Sequence, residues 1–314
     1  MIWRDLVKRL SGALIVLFLA SLASWLLMAI SPGDVAVIVA GENASVAEVE
    51  QTREELGLNK PFVVQYLSWI GGIFQGDAGT SYLTGRTVVE SLTEAFPATI
   101  SLTLVTIVFA FILGVGLGSI AGFRRGSLID RLSTLLATMG LAMPSFWVGL
   151  LLVSAFALAV PVFPATGYVP LTSGVLQWLM HLILPASALG VATAAEIARQ
   201  TRSGVSDVMD QSYIRTARAK GISNGPLLRR HVARNAAIPV VTVLGLQIAN
   251  LFGGVIVIEA VFGIPGLGSL AVNSVLARDI PLVQGYILLI ATIVVFVNLV
   301  VDLSYRLIDP KVRA

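Results

Sequence analysis

Residues 98–122 read ATISLTLVTIVFAFILGVGLGSIAG, without a single charge. A helix needs about 20 apolar residues to cross a hydrocarbon core about 30 Å thick. Backbone groups in lipid must also bond within their own segment, which favours helix. This stretch therefore reads as a membrane-spanning helix. Five more runs qualify, at about 10–30, 132–160, 178–199, 237–258 and 282–305. The composition agrees. The 314 residues are 56% hydrophobic and 12% charged, whereas soluble domains carry about 25% charged residues. The expected fold class is all-α integral membrane, with six transmembrane helices, and a soluble enzyme is excluded.

The loops orient these helices. With the N-terminus in the cytoplasm, 17 of the 21 Lys and Arg residues fall on the inside. Only Arg53, Lys60, Arg86 and Arg278 remain outside. Positive charge stays on the cytoplasmic side, so both termini are expected there. Arg4, Lys8 and Arg9 before an apolar run resemble a signal peptide. That run is long enough to span, and it reads as an uncleaved first helix.

Three parts follow. Residues 1–30 are the N-terminal cytoplasmic segment and first helix. Residues 31–96 are an external segment with short helices. Residues 97–314 are a core of five transmembrane helices with a cytoplasmic loop at 200–236. In the external segment Ser45 and Glu48 form a capping-box pattern. A short helix is expected from there to Gly57, and Pro61 suits the start of another. Its Phe62, Tyr66, Trp69, Ile70 and Phe74 fit either a lipid–water boundary or a packed lid.

The cytoplasmic loop is basic and punctuated by glycine: Tyr213-Ile-Arg-Thr-Ala-Arg-Ala-Lys-Gly221. Val205, Val208, Met209, Tyr213, Thr216 and Ala217 recur at spacings of three and four, one face of a helix. Gly221 suits a helix stop. Asn224 or Gly225, with Pro226, suits the start of a second helix. Arg230 and Arg234 follow on it, and Pro239 marks entry into the fifth span. Lipid anchoring by arginines explains the charge but does not call for the turn chemistry. Short spans on either side leave a DNA-binding helix-turn-helix little freedom, so no nucleic acid is expected. A rigid docking element for a cytoplasmic protein fits best.

The segment Thr216-Ala-Arg-Ala-Lys-Gly221, followed by Arg234-Asn-Ala-Ala-Ile-Pro239, resembles the "EAA" loop of ABC-transporter inner-membrane permeases. Thr216 stands where that pattern has an acid, and Arg218 where it has the second alanine. Both departures are similar to the dipeptide/oligopeptide/nickel branch. Glu259-Ala-Val-Phe-Gly-Ile-Pro-Gly-Leu-Gly268, then Arg278-Asp-Ile-Pro281 and Gln284-Gly285, resemble its last outer loop. Leu56 to Pro61, Gly76-Asp-Ala-Gly79 with Ser81, and Pro144-Ser-Phe-Trp147 also resemble that branch.

The resemblance implies the type I ABC importer permease fold and a multi-pass place in the inner membrane. It implies that Tyr213, Ile214, Arg215, Thr216, Ala217, Arg218, Ala219, Lys220 and Gly221 couple the chain to an ATPase. It implies a second homologous permease, two ATPase subunits and an external solute-binding protein, besides membrane lipid. No G-x-x-x-x-G-K-[ST] phosphate loop occurs here. ATP and Mg are therefore expected on partner subunits, with no cofactor and no catalysis in this chain. The expected cargo is di- or oligopeptide. A nickel or chelated-metal permease of the same branch is the nearer alternative. A proton-coupled secondary transporter is the more distant one.

Single residues add less. Cysteine is absent, which excludes disulfides and thiolate sites. His181 and His231 are too far apart for a metal site. Glu196, Glu259, Asn298 and Asp302 lie in or near spans, where polar groups are costly, and suit structural or interfacial roles. Asn250 is the candidate for the translocation pathway. Pro144, Pro185 and Pro265 read as fixed kinks in spans. Gly114, Gly116 and Gly118 suit close helix packing.

Overall fold

The computed structural model describes residues 2–30, 34–41, 43–221, 223 and 233–308. The elements run α1 (Ile2–Ile30), α2 (Val35–Ala40), α3 (Val46–Glu55), α4 (Phe62–Phe74), α5 (Val88–Phe123), α6 (Leu128–Ala142) and α7 (Ser145–Val153). A π-helix, Ser154–Ala159, and a 3-10 turn, Leu171–Ser173, follow. Then come α8 (Val175–Met209), α9 (Ser212–Ala219), α10 (Ala233–Phe262), α11 (Leu267–Leu276) and α12 (Ile280–Ile308). Among the described residues the one β feature is an isolated bridge between Thr80 and Thr87. The chain divides into two compact units, 1–97 with 269–295 and 98–268 with 296–314.

In the first unit the expected capping box is formed. Glu48 N donates to Ser45 Oγ at 3.3 Å, and Ser45 N donates to Glu48 Oε2 at 2.7 Å. α3 stops before Gly57, whose φ of +66° is the left-handed conformation that only glycine adopts easily. Pro61 caps α4. Trp25 of α1 collects the aromatic rings of α4: Phe62 and Tyr66 at 6.1 Å and Trp69 at 5.4 Å between centroids. Packing therefore accounts for these rings, while Phe74 is 87% exposed.

Two motif stretches far apart in sequence meet here. Buried Asp279 accepts from Ser81 Oγ and from Tyr82 N. Pro281 Cβ would lie 3.8 Å from a Cβ on Gly79.

The second unit is built on α8, against which α6, α7 and α10 pack. Its core joins Leu102 of α5, Leu182 and Leu189 of α8, and Ile258 and Phe262 of α10. α5 approaches α8 along a glycine edge. A Cβ at Gly114, Gly118 or Gly122 would lie 2.5–2.9 Å from atoms of Ala194, Ile197, Ala198, Thr201, Arg202 or Val205. Glycine spaced by four lets two backbones come close. Gly116 has nothing within 4 Å. It belongs to another face, and Gly122 completes the edge instead.

The run read as one span at 132–160 is two helices. α6 and α7 with its π-helical extension meet at 104°. Pro144 has no N–H to give and keeps Met143 out of the helical region, at φ −85° and ψ 128°. Pro185 stays inside a continuous α8. Pro265 lies in the turn between α10 and α11, outside any helix. α10 already begins at Ala233, so Pro239 is inside it and does not mark its start.

Candidate functional site

Two tight contacts prepare the cytoplasm-assigned end of the second unit. Asp130, in the first turn of α6, is 4% exposed. Its carboxylate accepts from Arg202 Nε, from Arg202 Nη2 at 2.9 Å and from Gly126 N at 2.9 Å. It precedes the apolar run at 132–160. The Arg202 guanidinium holds the Asp130 carboxyl at about 2, well below the ordinary 3.8. Arg125 Nη1 donates to Asp210 Oδ2 at 2.9 Å. The turn joining α5 to α6 is thereby tied to α8 and to the residues just after it.

α8 ends at Met209, and Asp210 caps it. α9 then starts afresh at Ser212. The break shifts the helical register, so the stripe expected of one continuous helix is only half right. Val205, Val208 and Met209 do pack with Ala217, but Ile214 joins them, with Phe123 of α5. Tyr213 and Thr216 are exposed instead. Ile214 is 0% exposed and Ala217 8%.

The outward side of α9 carries Tyr213, Arg215, Thr216 and Ala219, and exposed Lys220 follows its end. Arg215 Nη2 donates to Asp210 O at 3.2 Å, and Thr216 Oγ1 to Ser212 O at 3.2 Å. Gly221 follows, exposed, at φ +77°. The segment is thus a two-turn amphipathic helix, anchored by one apolar face and ended by a left-handed glycine. The side chain of Arg218 lies outside the described residues. So do Asn224, Gly225, Pro226, Arg230 and His231, and the side chain of Arg234.

The remaining candidates disperse. Glu259 is fully buried in the last turn of α10. Thr99 Oγ1 donates to its Oε1 at 2.6 Å, and Leu267 N donates to Thr99 Oγ1 at 2.7 Å. A Cβ on Gly266 would collide with the carboxylate, so the glycines of this turn make room for it. Glu196 pairs with Arg199 at 2.7 Å. Asn250 and Asn298 are exposed on α10 and α12. The side chain of Asp302 lies outside the described residues. His181 Nδ1 lies 2.8 Å from Gln177 O. Among the described residues no three His, Cys, Asp or Glu gather as a metal site.

The Asp130–Arg202 and Arg125–Asp210 pairs escaped the sequence reading. They join residues 72 and 85 positions apart, and no local spacing marks such a pair.

Known proteins share this architecture. The family described as binding-protein-dependent transport system inner membrane component matches residues 114–314, and its N-terminal counterpart matches 2–103. A protein of Brucella abortus (strain 2308), provisionally named a peptide transport system permease, is 42% identical over 308 residues, 98% of each chain. The glutathione transport system permease protein GsiC of Escherichia coli (strain K12) is 41% identical over 307 residues, again 98% of each. A solved inward-facing MetNI methionine ABC transporter superposes with a TM-score of 0.54 at 18% identity. That match covers 70% of this chain and 97% of the other, and it speaks for the fold. The chain belongs to the family of binding-protein-dependent transport system inner membrane components.

Proposed function

We propose that this chain is one permease half of an ATP-driven, binding-protein-dependent ABC importer for short peptides. It crosses the inner membrane six times with both termini in the cytoplasm. A second homologous permease supplies the other half of the pathway, two ATPase subunits hold ATP and Mg, and an external protein delivers the solute. Relatives at 41–42% identity over almost the full length, named for peptide and glutathione transport, support peptide cargo over nickel. Family membership supports ATP drive over proton coupling. Asn250, exposed on α10, is assigned to the pathway.

The observation that carries the reading is α9. Coupling requires an element whose contacts differ between two global states. A floppy loop would absorb a push. α9 is short, seated on α8 and α5 through Ile214 and Ala217, and presents Tyr213, Arg215 and Thr216 outward, with Lys220 just past its end. An ATPase that moves α9 moves α8 with it.

The test is peptide uptake by vesicles holding the whole complex, with ATP hydrolysis followed in parallel. Gly221→Pro forces φ towards −65° where the chain needs +77°. Arg218→Glu reverses a charge on the docking helix. Each is expected to cut peptide moved per ATP by about tenfold or more, a coupling change on the order of 1.4 kcal/mol. Uptake per ATP at the unaltered level in both variants removes α9 from coupling.

A further inference from the structure

The first unit contains a cavity of about 280 Å³, built from α1, α4, the turns on either side of α4 and the start of α12. Nothing in the coupling scheme uses it. Its lining includes Lys60 and contains no Asp or Glu. The nearby acid Asp279 is occupied by Ser81 and the Tyr82 amide. The hydroxyl residues Ser68, Thr80 and Tyr82 and the indoles of Trp25 and Trp69 also line it. Lys60 and Thr80 are exposed, so the cavity opens outward.

Lys60 is held where it can serve. Gln65 Nε2 donates to Lys60 O at 2.8 Å and to Leu58 O at 3.1 Å. The turn is therefore stapled to α4. The Lys60 stem folds across Gly57, 3.7 Å from where a Cβ would stand. Among the described residues no ion pair involves Lys60. Trp25 is 6% exposed, and its ring is 5.4 Å from that of Trp69.

A cation, the hydroxyls of Ser68, Thr80 and Tyr82 and aromatic walls fit a carboxylate attached to an apolar body. A bare inorganic anion would make no use of the indole rings. Ligand pockets run from about 300 to 1,000 Å³, so this one takes the end of a peptide and not a long chain. We infer that the cavity binds the free C-terminal end of a short peptide, with Lys60 as counter-charge and Trp25 and Trp69 as walls. This rests on the peptide-importer reading, whose orientation places the cavity on the outside.

The experiment uses the assembled transporter, without the external binding protein, in nanodiscs of phosphatidylcholine only. Trialanine, trialanine amide and inorganic phosphate are titrated by calorimetry. Trialanine is expected to bind about tenfold tighter than its amide, the loss of one charge-assisted contact. Lys60→Met removes that preference, and Lys60→Arg keeps it. Equal binding of acid and amide overturns the site, as does phosphate binding as well as trialanine, or no effect of Lys60→Met. ATP-driven uptake of trialanine with the binding protein present is measured beside it. Uptake without carboxylate-dependent binding overturns the site alone, and binding without uptake overturns the transport reading alone.

Discussion

Asp130 shows how much one side chain can fix. Its carboxylate is nearly buried, yet it takes two bonds from Arg202 and one from Gly126 N. A buried charge is tolerable when paired, and removing one partner strands the other. Asp130→Asn is therefore expected to lower the thermal midpoint of the purified complex by about 3–6 °C, on the scale of 1–2 kcal/mol for a domain this size. The Asp130→Arg, Arg202→Asp exchange should recover part of that loss. A midpoint within a degree of wild type would make the pair decorative. The depressed acidity of Asp130 has its own sign. The carboxyl contributes stability above its ordinary 3.8, and that contribution fades as pH falls towards about 2. Neutral pH leaves the pair fully engaged. None of this was legible along the chain, because Asp130 and Arg202 sit in unremarkable local surroundings and only the approach of α6 to α8 brings them together.

Among the elements, α5 lies close against α8 along its glycine edge. A Cβ at Gly118 would stand 2.5 Å from Ala198 O and 2.7 Å from Thr201 Cβ, while one at Gly116 would touch nothing within 4 Å. Overpacking a close interface costs about 1–3 kcal/mol or more. Gly118→Leu is expected to abolish monodisperse protein on size exclusion, and Gly116→Leu to leave it intact. Equal behaviour of the two would mean that α5 does not ride on α8 in this way. Helix existence was plain from the apolar runs, since 20 uncharged residues admit few other structures in lipid. The capping box at Ser45 and Glu48 was equally plain, because it is local chemistry. The break at Asp210 and Gln211 was not. No glycine or proline marks it, and a stripe counted through it put Tyr213 and Thr216 on the wrong face of α9.

Across the whole molecule, the motifs that had looked like separate family marks come together within units. Gly79 and Ser81 meet Pro281 and Asp279, and Glu259 is wrapped by its own glycine turn. Their spacing in the chain gave no hint of that partnership, which is tertiary. The bend at Pro144 carries a further consequence, for biogenesis. α6 has 15 residues, and α7 has 9 with a 6-residue π-helical extension, so each arm measures about 22 Å or less at 1.5 Å per residue. Neither reaches across about 30 Å of hydrocarbon alone. A ribosome delivering this segment to the insertion machinery therefore offers two stubs at a steep angle, which settle only when α8 emerges to receive them. The native chain has no cysteine, so a single cysteine at position 160 is a clean reporter. It should resist an impermeant thiol reagent added outside while the nascent chain ends before α8, and react once synthesis has passed Met209.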